Sequence, residues 1–444
     1  MFDNDGTKTE INEHFLISGI SCVVPFVPNY LKEIKGFSPV DVTVVLASAR
    51  FLAVVSKPLL GHLADRTSKY QLFILLCLLN GGCVTCLLTV IPSSVSSFNS
   101  TFLDLGHQNH FGESRFWLLL ICYLVSNSFG LSSAYTLMDA LTLKILSAQG
   151  KAKEYGRQRM WMTVGIAVAL LSVAALMDLL RDADYWPAFL GFLLCISAAA
   201  LCALFVHGWQ PKTASQQDGR GLTELLPVLL QPDCLLFMCM TFVCGLNLGM
   251  STWLMPFYLQ TDLDAAKTTV GLAVIVFCLA ATGAFYASGS VLTALGHKWT
   301  LVVVLTLYSA RAAIWHFVSD AWWSLATEVL MGLPFGLWLP TMGSYARKIA
   351  PHGSEASAQA ALSAVFDGFG VGLGHLTAGW LYQTYGGSNT WLIFSLATAS
   401  LATMYSAIVL SQKSQSHFSK VIVASENNCT GDQLELEKLQ KGST

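Results

Sequence analysis

The chain has 444 residues, 54% of them hydrophobic and 12% charged, with a mean hydropathy of +0.55 and a formal net charge of −2. Soluble domains carry about 25% charged residues, so this composition excludes an ordinary soluble enzyme and puts most of the chain in lipid. The near-neutral balance and the lack of a basic patch argue against a nucleic-acid partner.

A bilayer-crossing helix needs about 20 mostly apolar residues. In chain order the predicted spans are 13–31, 40–60, 71–91, 116–145, 160–180, 187–207, 234–259, 269–292, 299–318, 322–345, 356–383 and 389–410. The first is short and holds Pro25 and Pro28, which membrane helices tolerate when neighbours satisfy the freed carbonyls. The expected fold is therefore all-α, with twelve transmembrane helices. Residues 1–10 are polar and lead into a proline-containing run without a small-residue cleavage site, so no cleavable leader is expected.

Three polar stretches separate or follow the spans. Residues 92–115 form a Ser-rich loop with the glycosylation sequon Asn99-Ser100-Thr101. Residues 209–233 read as a linker between two six-helix halves, 1–208 and 234–411, and 412–444 reads as a flexible polar tail. Lys and Arg accumulate on one side, among them Arg66, Lys69, Lys151, Lys153, Lys298, Arg347 and Lys348. That bias predicts cytosolic N- and C-termini. Of the twelve cysteines only Cys429 lies outside a predicted span, so no disulfide framework is expected. Cys83 and Cys86 have zinc-like spacing but no second ligand pair, and read as small helix residues.

The halves echo each other. PFVPNYLKEIKGFSP ends the first span and MPFYLQTDLDAAKT the seventh; GHLADR follows the second and GSVLTALGHK the eighth. Parallel six-helix repeats are one signature of secondary transporters. Gly61-x-x-x-Asp65-Arg66 resembles the loop motif of the major facilitator superfamily, with departures at Ser68 and Tyr70 and with Thr293 in place of the acid in the second half. Glu154-Tyr-Gly-Arg157-Gln-Arg159-Met-Trp161, GLPFGLWLPTMGSYARKIAP and GWLYQTYG further resemble the lactose-permease-like branch and the animal major facilitator domain-containing protein 6 group. The resemblance implies two pseudo-symmetric six-helix bundles that rock about a central site. It also implies that Gly61, Asp65 and Arg66 form a latch in the outward-open arrangement, Asp65 accepting from a neighbouring helix N-terminus.

Ionisable groups at membrane depth are costly and mark function by default. They are Arg50, Lys57, Asp139, Arg311, Glu328 and Asp367, with Arg159 and His14 near span ends. Arg50 and Lys57, seven residues apart, share one helix face. By depth, Asp139 is offered as partner to Lys57 or to Arg159. Through the resemblance, Arg159 and Arg311 fall on arginines of the permease, and Asp139 reaches its acid's position only with two residues inserted. Asp367 stands where the permease has a lysine. The permease's proton-carrying glutamate aligns with Gly332, and Glu328 lies one turn earlier, within reach of Arg311.

Glycines at 368, 370, 372 and 374 suit close helix packing, and Trp253, Trp315, Trp338 and Trp380 lie mid-helix. There is no phosphate-binding loop, nucleophile elbow or metal cluster, so neither enzyme activity nor a cofactor is expected. The expected function is transport of a small polar solute, sugar- or nucleoside-like, by a monomer in the plasma or endolysosomal membrane, with protons as a candidate coupling ion. Arg50, Asp139, Arg159, Arg311, Glu328 and Asp367 are the candidate contacts. The alternative is a transporter-shaped receptor that binds a partner through 92–115.

Overall fold

The computed structural model describes residues 4–67, 69–91, 114–148, 155–180, 185–205, 226–351 and 355–412. The described residues form helices and no strands. In chain order these are α1 (Asn4–Val23), which continues through a 3-10 turn at Val24–Phe26 into α2 (Val27–Glu33); α3 (Pro39–Thr67); α4 (Tyr70–Val90); α5 (Ser114–Ser126), joined by a π segment (Asn127–Leu131) to α6 (Ser132–Ala148); α7 (Tyr155–Leu179); and α8 (Trp186–Phe205). After residue 231 come α9 (Pro232–Thr261), α10 (Lys267–Phe317), α11 (Trp323–Ile349), α12 (Glu355–Ser363), a second π segment (Ala364–Gly370), α13 (Val371–Tyr385) and α14 (Gly387–Gln412). Among the described residues nine helices are long and apolar enough to cross a bilayer. Asn99, residues 209–225 of the linker and residues 413–444 of the tail lie outside the described residues.

Side chains show why these helices need lipid. The α4 window has mean hydropathy 2.2 yet only 39% of it is buried within the protein. Leu72, Leu76, Leu79 and Leu87 are exposed on one helical stripe. An apolar stripe of that length is stable against hydrocarbon and not against water.

α10 counts as one helix, but 51 residues would run about 75 Å, more than twice the roughly 30 Å hydrocarbon thickness. It is broken at Gly296, where φ is +71°. A residue with a Cβ rarely adopts that backbone. The first half of α10 thus runs to 295, past the predicted end at 292, before the chain reverses. The far ends of both pieces confirm the reversal. Lys267 reaches α7 and His316 reaches Ser388, while His297 and Lys298, beside the break, bond Ser344, Asp233 and Gln412. α3 likewise continues past Gly61, where the apolar run stops, to Thr67.

These contacts define two ends of the bundle. At the terminal end lie Gln412, Asp233, Lys298 and the start of α4, where Gln71 bonds Ala203 O and Leu204 O of α8. At the distal end lie the α2–α3 turn, the end of α7 and the start of α10. There Lys35 is buried and donates to Thr89 O and Ile91 O, closing the C-terminus of α4. Burial lowers the Lys35 pKa. Trp117, Trp186, Trp322 and Trp323 are half-exposed or more at this end, as interfacial tryptophans are.

Contacts between the segments before residue 206 and after 231 gather toward the distal end. Asn29 Nδ2 donates to Pro256 O at 3.4 Å, Lys32 Nζ to Thr261 Oγ1 at 3.3 Å, and Lys32 stands over the Phe257 ring. Thr43 packs where a Cβ on Gly379 would sit, and Ala174 packs on Gly271.

Candidate functional site

Local backbone irregularity positions the site. The π segment at 127–131 leaves carbonyls off the α ladder, and Ser128 O accepts both Ser56 Oγ (2.8 Å) and Ser133 Oγ (2.5 Å). Ser128 Oγ in turn donates to Ala49 O. α3 is thereby stitched to the α5–α6 helix on both sides of Arg50. The second π segment, 364–370, carries Asp367. Such wide turns recur at functional sites.

Alternate glycines bring that segment close to two helices. A Cβ on Gly370 would lie 2.8 Å from Gly245 Cα, and one on Gly374 2.4 Å from Leu246 O, so this face packs on α9. A Cβ on Gly368 would lie 2.1 Å from Val54, and one on Gly372 2.8 Å from Phe51, so the other face packs on α3. The glycine run is thus a two-sided packing surface. It brings Asp367 opposite Arg50 and Lys57.

Arg50 Nη1 lies 3.0 Å from Asp367 Oδ1, and Lys57 Nζ 3.1 Å from Asp367 Oδ2. The three side chains are 35%, 25% and 34% exposed. Each carboxylate oxygen therefore serves a different cation, two helical turns apart on α3. The partner of Lys57 is thus Asp367, not the Asp139 offered by depth along the sequence. Hydropathy ranks depth within a helix but not which helix it faces, and the glycines decide that. Phe51 and Phe369 flank the pair with ring centroids 6.2 Å apart.

A second charged pair is sealed in the segments after residue 231. Arg311 on α10 and Glu328 on α11 are 1% and 2% exposed and meet at 2.5 Å. Arg311 Nη1 also donates to Ser251 Oγ of α9 at 2.8 Å. The guanidinium lies 5.2 Å from the Trp391 ring and 5.9 Å from that of Trp315, which stack on each other at 5.1 Å and 12°. Buried charge survives where paired and hydrogen-bonded, and the rings add cation–π attraction. Reach between Glu328 and Arg311 follows from their one-turn offset; the part of Ser251 and Trp391 gave no sequence signal.

Asp139 is half-buried on α6 and has partners of its own. Arg159 lies in α7 and Asp65 in α3, with side chains outside the described part of the structure. Arg66 is exposed, and space around Gly61 is open. Trp253, Trp315 and Trp338 are fully buried packing residues, and Trp380 is 57% exposed. The sequence gives no signal for His375, buried about two helical turns along from Asp367, whose Nε2 lies 3.3 Å from Thr252 Oγ1. It gives none either for Glu13, buried against Thr142, or for Asp178, which holds the start of α10.

Comparison with known proteins agrees with this architecture. The chain is 26% identical to the maltose permease of Geobacillus stearothermophilus over 87% of this chain and 90% of that one. It is 21% identical to a major facilitator superfamily domain-containing protein 6-like protein of Danio rerio, over 89% of this chain and 86% of that one. The crystal structure of the nucleoside transporter NupG superposes with a TM-score of 0.74 at 16% identity, covering 91% of this chain and 99% of that one. A model described as the MFS_1 like family matches residues 11–393. The chain belongs to the MFS_1 like family of major facilitator transporters.

Proposed function

We propose that the chain is a twelve-span secondary transporter of a small polar solute, with six-helix bundles at 1–208 and 234–411 and both termini in the cytosol. The twelve spans follow when α10 is read as two helices and α7 and α12–α13 as one each. The Lys and Arg bias then makes the distal end the outer one. With inter-half contacts gathered there, the present arrangement reads as closed outside. Alternating access follows by rocking of the halves.

The observation that carries this reading is Asp367 of the second half held by Arg50 and Lys57 of the first, the three side chains 25–35% exposed between the halves. Their partial exposure leaves them within reach of a solute, whereas Arg311 and Glu328 are sealed from one. Maltose permease and a nucleoside transporter among its relatives support a sugar- or nucleoside-like solute. The Arg311–Glu328 pair is the candidate for proton exchange, because a carboxylate shielded beside one arginine trades that partner for a proton as its surroundings change.

The test is uptake of labelled maltose, uridine and sugar acids into proteoliposomes holding the purified full chain, with and without a pH gradient. Saturable uptake whose KM shifts in Asp367→Asn and in Arg50→Gln supports the reading. Accumulation that follows the gradient and is lost in Glu328→Gln supports proton coupling. No saturable flux of any solute, with an extracellular partner captured through residues 92–115, overturns transport in favour of a receptor.

A further inference from the structure

Two cations and one anion meet on the line between the halves. Among the described residues, Asp367 is the sole hydrogen-bonding partner of Arg50 and of Lys57. A guanidinium carries five N–H donors and an ammonium three, so most of their donors are left without a protein acceptor. The side chains are open enough, at 35% and 25% exposure, to be reached. The three groups in contact sum to one positive charge, which is costly at membrane depth unless matched. Beside them Phe369 is 50% exposed and faces Phe51, an apolar wall next to the donors. Behind them His375 is buried with Nδ1 unpartnered among the described residues.

We propose that Arg50, Lys57 and Asp367 form an anion subsite, and that the solute is a small organic monocarboxylate. Its carboxylate takes the donors that Asp367 leaves over, and its carbon skeleton lies against Phe51 and Phe369. The charge sum sets the valence. One negative charge brings the cluster to neutrality, whereas a dianion leaves it negative and a neutral sugar leaves it positive. Geometry sets the group, since a second two-oxygen acceptor bridges Arg50 and Lys57 as Asp367 does, with charge-assisted bonds at both oxygens. This inference rests on the transport reading above and adds the charge of the solute.

The experiment is labelled uptake into proteoliposomes of matched pairs: gluconate against glucose, lactate against glycerol, and benzoate against benzyl alcohol, with maltose and uridine alongside. The expected result is saturable uptake of at least one acid and weaker or absent uptake of its neutral partner. Arg50→Gln and Lys57→Gln each raise the KM for that acid about tenfold or more, as loss of a charge-assisted contact does. Arg50→Lys restores part of the affinity, and Asp367→Asn, which removes the competing carboxylate, lowers KM. Thermal unfolding of each variant in detergent separates loss of the subsite from loss of the fold. Saturable uptake of maltose, uridine or a neutral partner with every acid excluded overturns the monocarboxylate assignment and leaves the transport reading standing. Failure of every solute overturns both. Uptake of an acid whose KM is unmoved in well-folded Arg50→Gln and Lys57→Gln overturns the placement of the subsite.

Discussion

Asp178, near the end of α7, caps the start of α10, joining the segments before residue 206 to those after 231. Its Oδ1 accepts the Lys267 backbone N–H at 3.0 Å; its Oδ2 accepts the Thr268 N–H at 2.7 Å and the Thr268 hydroxyl at 2.5 Å. The first amides of a helix have no intrahelical partner, and an acid there also meets the positive end of the helix dipole. Here the cap comes from another helix. The same bonds that finish α10 therefore tie it to α7 at the distal end. One turn on, Gly271 lets Ala174 approach, so the cap sits on a close helix crossing.

Asp178→Ala is expected to favour opening of the distal end by about 1–2 kcal/mol, the sum of a lost cap and a lost charge–dipole attraction. That is roughly a five- to thirtyfold shift in the ratio of closed to open forms. Thr43, fully buried against Gly379 in this arrangement, provides the reporter. Maleimide labelling of Thr43→Cys, followed on its own peptide by mass spectrometry, is expected to speed up by that order in Asp178→Ala and by less in Asp178→Asn. An unchanged rate means that the cap does not hold the two halves together.

Gly245 and Gly370 make the tightest backbone crossing between α9 and the second π segment. A Cβ on Gly245 would stand 2.3 Å from Phe366 O and 2.8 Å from Gly370 Cα, with backbone on both sides. Neither neighbour is a flexible side-chain end that can move aside. Gly245→Ala is expected to cost about 1–3 kcal/mol by overpacking, read as a lowered midpoint of thermal unfolding in detergent. Gly283, where a Cβ meets nothing within 4 Å, is the control. Gly283→Ala is expected to hold or slightly raise the midpoint, since alanine is the better helix former. Equal effects at the two positions would show that the crossing is looser than described.

The Arg311–Glu328 pair separates fold from function. Glu328→Ala leaves a guanidinium sealed among Ser251, Trp315 and Trp391, and is expected to destabilise by about 3–5 kcal/mol. The double variant Arg311→Met with Glu328→Leu removes both charges and keeps apolar volume. It is expected to regain most of that loss. If the double variant is stable but transports without coupling to the pH gradient, the pair serves the proton rather than the fold. If Glu328→Ala loses no stability, the pair is not the tight buried contact described above.

Much of this architecture is legible in the sequence because lipid imposes a simple rule of length and hydropathy. Most described helices begin and end within about five residues of the expected bounds, but α1 starts at Asn4 against an expected 13 and α3 ends at Thr67 against an expected 60. The misses are local, and each has a physical cause. α3 runs on through Gly61 to Thr67 because the end of an apolar run marks where lipid stops, not where backbone hydrogen bonding stops. The reversal in α10 falls at Gly296 rather than at the earlier Gly289, because the turn needs positive φ and only the later glycine adopts it. The membrane-depth charges were all visible as residues. Their pairing was not, since Lys57 and Asp367 lie 310 residues apart and meet through glycine contacts that hydropathy does not encode. Asp178 carries no sequence signal because its partners, two backbone amides and the Thr268 hydroxyl, lie 89 and 90 residues away and form no side-chain pattern.

The turn at Gly61–Arg66 offers a prediction in which stability and transport part ways. In this arrangement a Cβ on Gly61 meets nothing within 4 Å, and Arg66 is exposed. Closure of the terminal end in the alternate arrangement brings this turn against the second half, if the motif acts as the latch its resemblance implies. A side chain at 61 then burdens only that alternate state. Gly61→Leu is expected to leave the thermal midpoint within about 1 °C, as for surface changes that touch nothing. The same change is expected to slow Thr43→Cys labelling severalfold, because the protein stays closed at the distal end, and to lower uptake in step. A ligand that binds one state more tightly shifts the balance only by its differential affinity, and this substitution acts on the same balance through sterics. Full uptake with unchanged labelling in Gly61→Leu would mean that the turn never meets the second half, and that closure of the terminal end is carried by other residues.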